Sequence, residues 1–306
     1  MTQSAGVFSG RQWIRALFVL GMVCMWALPA AAEPLHLLSW NVRNYLSQNQ
    51  VIEGRWRPDY PKPEAEKAAL RAVLLSERAD VVFFQEMGAE PYLRELQRDL
   101  RTKGLDYPYL AMGRGVDTVR HLAVLSKVPI EVHLHAHTEA EHQLPLRRGL
   151  MEVKIEHEAG VLQVFNLHLK SRWTVDQADP LAQQQRNGEM ERLVEIVRQR
   201  RHPQETLLIL GDFNEPGTFP ARTWLLEQLP ELERLPQTDS QGDDWTYYWA
   251  REDRRESIDA IYHWPAEPTP FKLSPIRIVD PSAVMQASDH RPLSIVLESK
   301  RIESEK

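Results

Sequence analysis

Short apolar runs alternate along the chain with longer stretches whose apolar residues recur at helical spacing. Leu35-His-Leu-Leu-Ser-Trp40 reads as a buried strand. From Glu64 to Glu77 the apolar positions Ala65, Ala68, Ala69, Ala72, Val73 and Leu75 share one face, which predicts a helix. Asp80 to Gln85 is a second strand, and a helix follows from Glu90 to Arg101. Leu122 to Leu125, Ile130 to Ala136, Gly149 to Glu156 and Val161 to Leu169 all have strand character. Asp179 to Arg201 is a long helix with charges and glutamines on its outer side. Thr206 to Leu210 is a central strand, and Ile258 to Tyr262, Ile276 to Val279 and Leu293 to Leu297 complete the set. The proline-rich pieces Arg57 to Pro63 and Pro265 to Pro275 read as loops, and Lys300 to Lys306 as a frayed polar end. Many strands broken by a few helices suit two stacked sheets with helices outside. No repeat, linker or composition shift divides the chain after residue 32, so a single domain from Glu33 is expected.

The N-terminus follows a different pattern. Arg11 and Arg15 precede the apolar run Ala16 to Leu28, and Pro29-Ala-Ala-Ala32 follows. A basic flank, a short apolar core and small residues at the end describe a secretory signal peptide cleaved after Ala32. The run is too short for a membrane anchor, which needs about 20 apolar residues. Cys24 is the only cysteine, so a cleaved chain would hold no disulfide, thiolate metal site or cysteine nucleophile. Stability must then rest on a core, which a 306-residue chain with 42% hydrophobic residues can build. The formal charge of −6 argues against a broad surface for gripping polyanions, although a local cationic site is compatible with it.

Candidate chemistry gathers where the strands stop. The first strand ends at Asn41, the second at Gln85-Glu86, and Val164 to Leu167 ends at His168. Thr206 to Leu210 runs into Gly211-Asp212-Phe213-Asn214, and Ser288-Asp289-His290 precedes the last strand. Asp259 lies within an apolar strand, where an unpartnered carboxylate is costly. Each residue alone has a plain structural reading: Asp212 and Asn214 as a turn, Glu86 as a carboxylate leaving the sheet, His168 as a core histidine. Together on one rim, hard oxygen ligands suit Mg²⁺, Mn²⁺ or Ca²⁺, and histidines beside carboxylates suit proton transfer.

The same strings, in the same order, resemble the endonuclease/exonuclease/phosphatase superfamily of deoxyribonuclease I-like phosphoesterases. The matching pieces are Ser39-Trp-Asn-Val-Arg-Asn44, Val82-Phe-Phe-Gln-Glu86, Asn166-Leu-His-Leu-Lys-Ser171, Gly211-Asp-Phe-Asn214, Ser257-Ile-Asp-Ala-Ile261 and Ser288-Asp-His290. The resemblance implies a four-layer α/β sandwich of two stacked mixed sheets flanked by helices, with one site on its rim. It implies Mg²⁺ as cofactor, with Mn²⁺ or Ca²⁺ as substitutes. Glu86 would bind the metal with Asn41 beside it, and Asp289 would complete the shell. Asp212 and Asn214 would position the attacking water and the phosphate. Asp259 would fix the tautomer of His290, which would act as base or stabilise the transition state. His168 would bind a non-bridging oxygen or help protonate the leaving group.

For the substrate, Arg43, Lys170 and Arg172 are candidate phosphate contacts. Trp56, Trp173 and the run Trp245-Thr-Tyr-Tyr-Trp249 offer stacking faces for bases, although aromatics alternating along a late strand read first as core packing. His133, His135 and His137 share one face of a strand; this is a solvated face or, alternatively, a Zn²⁺ site. The expected activity is an exported, monomeric phosphodiesterase acting on nucleic acid. Hydrolysis of a phospholipid or small phosphate ester is one alternative, and a binding protein that has lost catalysis is another.

Overall fold

The computed structural model describes residues 33–135 and 146–300. The expected leader with Arg11, Arg15 and Cys24, the third histidine His137 and the tail beyond Lys300 lie outside the described residues.

The chain opens with β1 (Leu35–Tyr45), β2 (Ser47–Ile52), β3 (Arg55–Pro61), α1 (Glu64–Glu77), β4 (Val81–Met87) and α2 (Glu90–Thr102). It continues through β5 (Tyr109–Met112), β6 (His121–Ser126), β7 (Glu131–His135), β8 (Leu150–His157), β9 (Gly160–His168), α3 (Gln183–Arg200) and β10 (Thr206–Asp212). There follow α4 (Pro220–Gln228), β11 (Glu233–Arg234), β12 (Gln237–Thr238), β13 (Tyr247–Trp249), β14 (Arg254–Glu256) and β15 (Asp259–Trp264). The last elements are β16 (Phe271–Leu273), β17 (Ile276–Ile278), α5 (Ser282–Ala287) and β18 (Leu293–Ser299).

Two mixed sheets carry the fold. The first has the order β12-β17-β18-β1-β4-β6-β5, with β16 also on β18; the second has the order β11-β15-β10-β9-β8-β7. Strand alternation divides the apolar residues into layers. Leu37, Val81, Phe83 and Val124 of the first sheet pack with Val153, Val164, Leu208 and Ile261 of the second. The opposite face of the first sheet, including Leu38, Trp40, Val82 and Phe84, packs against Leu70, Leu74, Leu93 and Leu96 of α1 and α2. Phe165, Leu207, Ile209 and Tyr262 pack against Leu193, Val197 and Leu225 of α3 and α4. The result is helices, sheet, sheet, helices: the two stacked sheets that the strand pattern suggested and the four-layer α/β sandwich that the resemblance implied. No helix among the described residues is long and apolar enough to cross a membrane.

Several segments depart from the sequence reading: α4 and α5 have no counterpart in it, and β16 is a strand on β18 within the Pro265 to Pro275 piece read as a loop. The region from Ser47 to Pro61, including the proline-rich piece read as a loop, is a β-hairpin. Glu53 and Gly54 both have positive φ, as a two-residue type I′ turn requires, and the strands pair only with each other, so Pro58 and Pro61 interrupt no larger ladder. The long helix begins at Gln183 rather than Asp179. Asp179 stays outside it and accepts the amides of Gln183 (2.7 Å) and Gln185 (3.3 Å) with its carboxylate.

Candidate active site

Parallel pairing brings the ends of four strands to one rim. In the second sheet, Asp212 is in register with His168 of β9 on one side and Asp259 of β15 on the other. In the first sheet, Asn41 is in register with Gln85, next to Glu86. The sheets are joined across the gap by the Asn41 carboxamide, whose Nδ2 donates to Asp212 Oδ2 at 2.9 Å.

The backbone at these ends is bent out of regular strand geometry. Register shifts lie between Asn41 and Tyr45 on β1 and between Phe84 and Met87 on β4. Arg43, Asn44, Glu86 and Asn214 all have positive φ, a costly conformation for residues with a side chain. The bulges turn the strand ends outward, and Asn44 N then donates to Glu86 Oε2 at 2.9 Å. Gly211 has φ of 132°, and a Cβ there would stand 2.1 Å from the carbonyl oxygen of Leu167. Only glycine lets β10 approach β9 this closely beside Asp212.

The buried centre is Asp212, 1% exposed. Its Oδ1 accepts the Asn214 amide at 2.8 Å, His168 Nε2 lies 3.4 Å from Oδ2, and His290 Nε2 lies 3.8 Å from the same oxygen. His290 Nδ1 is 2.9 Å from Asp259 Oδ2, which supplies the partner that the strand carboxylate needed. Asp259 is itself anchored, its amide donating to Thr246 Oγ1 at 3.0 Å. The Ser288 hydroxyl donates to the Asn41 carbonyl at 2.7 Å and accepts the His290 amide at 3.0 Å. Trp40 Nε1 donates to the His290 carbonyl at 2.9 Å, and the Tyr247 ring lies 4.8 Å from that of His290.

Burial dominates the electrostatics. It pushes the Asp212 carboxyl up to about 7, reinforced by the nearby Asp259 and opposed by His290. Burial opposes charge on His290, but Asp259 and Asp212 outweigh it and hold its imidazolium up to about 10. His168 goes the other way: burial, then Arg148 and His290, push it well below its ordinary value, so it is neutral at neutral pH. Its Nδ1 is buried without a partner. One histidine is thus charged and the other neutral, on either side of one carboxyl.

Glu86, on the rim, has Oε1 4.0 Å from His168 Nε2. Asp289 is about one-third exposed and faces Arg43 Nε at 3.7 Å, outside the buried centre. The candidate cations are differently placed. The Lys170 ammonium turns back onto its own loop, bonding the Ser171 carbonyl at 2.8 Å and that of Trp173, and burial lowers it to about 8. Arg172 is engaged in a two-pronged pair with Glu256. Trp245, Tyr248 and Trp249 lie outside the three core clusters, whereas Thr246 between them is fully buried. β13 pairs along one edge with β14 and meets the segment of Asp289 and His290 along the other, and Trp245, Tyr248 and Trp249 stay only partly buried beside Asp289. Of the histidine stripe, His135 bonds Glu152 at 2.9 Å and His133 is exposed.

Sequence reasoning missed the supports. Glu189 of α3 accepts the amides of Lys170 (2.7 Å) and Arg147 (3.1 Å), and Arg186 spans the Lys170 carbonyl (3.1 Å) and Glu215 (3.3 Å). These side chains hold the loops after His168 and Asn214, and charged residues in a helix give no local sign of that. Ser288 was legible in principle, because it belongs to the Ser-Asp-His string.

The family profile described as endonuclease/exonuclease/phosphatase family matches residues 38–290. The chain belongs to this family. Solved structures agree on the fold. A doubly substituted beta toxin from Staphylococcus aureus with bound magnesium ions has 20% identity and a TM-score of 0.61 over 88% of this chain and all of that one. TDP2 from D. rerio, complexed with a single-strand DNA product, has 16% identity and a TM-score of 0.60 over 87% and 99%. Sphingomyelinase C from Streptomyces griseocarneus has 15% identity and a TM-score of 0.59 over 86% and 99%. A comparison with curated protein sequences finds no match. As a member of this family the protein is a divalent-metal-dependent phosphoesterase. The rim fits a hard cation such as Mg²⁺: Asn41, Glu86 and Asp289 offer carboxamide and carboxylate oxygens there, without a thiolate. A carboxyl raised by burial, as Asp212 is, regains its anionic form beside such an ion.

Proposed function

We propose that the protein is an exported phosphodiesterase of nuclease type, acting as a monomer on nucleic acid. The observation that carries the phosphodiesterase chemistry is the placement of charged His290 and neutral His168 on either side of Asp212. A phosphodiester is an anion, and its transition state gathers further charge on the non-bridging oxygens. A divalent ion held by Glu86 and Asn41, with Asp289 at its outer edge, would supply charge neutralisation. Asp212 orients and deprotonates the attacking water, helped by Asn214. The resemblance allowed His290 to be either base or charge stabiliser; its raised imidazolium favours the second role, with Asp259 fixing its Nδ1 proton. His168 faces the phosphate from the other side and donates a hydrogen bond from its neutral ring. Arg43 edges the site, whereas Lys170 would have to leave its own loop, and Arg172 to leave Glu256, to reach a phosphate.

One observation favours a lipid substrate instead: the β2–β3 hairpin exposes Val51 and Trp56 by 61% and 62%. Purified protein with Mg²⁺ should cleave plasmid DNA or RNA at least tenfold faster than sphingomyelin. Equal or faster turnover of sphingomyelin would remove the nuclease assignment, and no turnover of either, or of a bis-aryl phosphodiester, would remove catalysis altogether. Export rests on the leader-like pattern of residues 1–32. N-terminal sequencing of protein recovered outside the cytoplasm should begin at Glu33; retention in the cytoplasm with Met1 in place would refute it.

A further inference from the structure

Beside the site lies a cleft of about 520 Å³ lined by Arg43, Trp245, Tyr248, Trp249, Arg251 and Arg255, with Met285 and Asp289 at its edge. The geometry points to this cleft as a nucleotide subsite, in which a nucleobase stacks on the indole and phenol faces and an adjoining phosphate meets the guanidinium groups. The inference deepens the nuclease reading and rests on it.

Three observations support this assignment. The lining places three guanidinium groups against the single carboxylate of Asp289, on a chain whose formal charge is −6. A cationic island on an acidic protein concentrates anions locally. Of the acidic neighbours in this hairpin, Glu252 and Glu256 pair with Arg254, and Asp253 accepts the Tyr248 hydroxyl at 3.0 Å. Arg251 and Arg255 have no carboxylate partner among the described residues. The aromatic groups are held in place by neighbouring cations. Arg291 lies 4.0 Å from the Trp245 ring centre, and Arg255 lies 5.6 Å from Trp245 and 5.5 Å from Tyr248. Finally, the cleft is tied to the catalytic rim, because Tyr248 N donates to the Asp289 carbonyl at 2.9 Å and Tyr247 packs on His290.

Charge selects among the substrates. A quaternary ammonium headgroup also seeks aromatic faces, but three guanidinium groups repel it. An acyl chain gains little from a lining of charged side chains. A nucleotide is both flat and anionic, and its bases stack on aromatic side chains with modest sequence preference. The volume lies within the range of small-ligand clefts, roughly 300–1,000 Å³.

The test is calorimetric titration of the chain carrying His290→Gln, in Mg²⁺, with AMP, ribose 5-phosphate and phosphocholine. AMP should bind at least tenfold more tightly than either ribose 5-phosphate or phosphocholine. Trp249→Ala and Arg255→Gln should each weaken AMP at least fivefold; Arg255 is exposed, so its replacement leaves the core intact. AMP binding no tighter than ribose 5-phosphate, or an AMP affinity that survives both substitutions, overturns the subsite. Selective AMP binding by a protein that leaves DNA and RNA uncut would support the subsite and remove the nuclease reading. Nucleic-acid cleavage without AMP selectivity would do the reverse.

Discussion

Asp212 and Glu152 are carboxylates of the same sheet, each 1% exposed, yet their environments drive them apart. Glu152 on β8 is met by Arg200 at 2.8 Å, His135 at 2.9 Å and Gln163 at 2.6 Å. Burial raises its carboxyl, but these donors outweigh burial and bring it down to about 2. Asp212 receives only the Asn41 carboxamide and the Asn214 amide as donors within hydrogen-bond geometry, and Asp259 lies nearby, so burial carries it up to about 7. Deeper burial with fewer donors leaves Asp212 the candidate reactive group, whereas Glu152 is a structural staple. The difference lies in how deep each carboxyl sits and how completely its charge is compensated.

Catalysis provides the most severe test of this contrast. Asp212→Asn should lower kcat/KM on a phosphodiester by about 10³-fold or more, on the order of 4 kcal/mol of transition-state stabilisation. The same substitution should leave the metal-free fold as stable as the parent or more so, since it removes a buried carboxyl. A variant within tenfold of parental activity would show that Asp212 is not part of the chemistry. Glu152→Ala should do the opposite. It leaves Arg200, His135 and Gln163 without their shared acceptor and should cost about 3 kcal/mol in urea unfolding, with kcat within about threefold of the parent.

The two groups should also give opposite slopes of stability against pH. Glu152 is lowered on folding, so its contribution is present above its ordinary value near 4.5 and is lost as pH falls toward 2. Asp212 is raised, so the folded protein holds more protons than the unfolded chain between about 4 and 7, and stability contributed there falls as pH rises. His290, raised from 6.5 to about 10, contributes fully below 6.5 and loses that contribution as pH climbs toward 10. Subtracting the Tm-versus-pH curve of metal-free Asp212→Asn from that of the parent should isolate a decline across pH 4 to 7; a flat difference would contradict the electrostatic assignment. The smallest effect is expected from the ion itself. At ten times its Kd, Mg²⁺ should stabilise the parent by about 1.4 kcal/mol and flatten that decline, and Glu86→Gln should need more Mg²⁺ for the same gain.

Much of the scaffold was legible because its signals are local. The helix of Glu64–Glu77 matches its apolar spacing end for end, and β1, β4, β9 and β10 appear where the apolar runs lie. The ordered strings at the strand ends carried the family resemblance. The β2–β3 hairpin was not legible, because prolines normally exclude a strand and only isolated pairing makes this one possible. Nor was the exposure of Trp245, Tyr248 and Trp249, since an aromatic alternation looks the same whether or not a second layer covers it.

By itself, the sequence determined most of the longer elements, the candidate site residue types and their order along the chain, because periodicity and strand-end chemistry are written in neighbouring positions. The tertiary structure alone decided that His168, Asp212 and Asp259 stand at one level of one sheet, and that Arg172 is occupied by Glu256 while Arg251 and Arg255 pair with no carboxylate among the described residues. It alone separated Asp212 from Glu152. A carboxylate's charge state depends on burial and on donors far away in sequence, and only the folded chain assembles them.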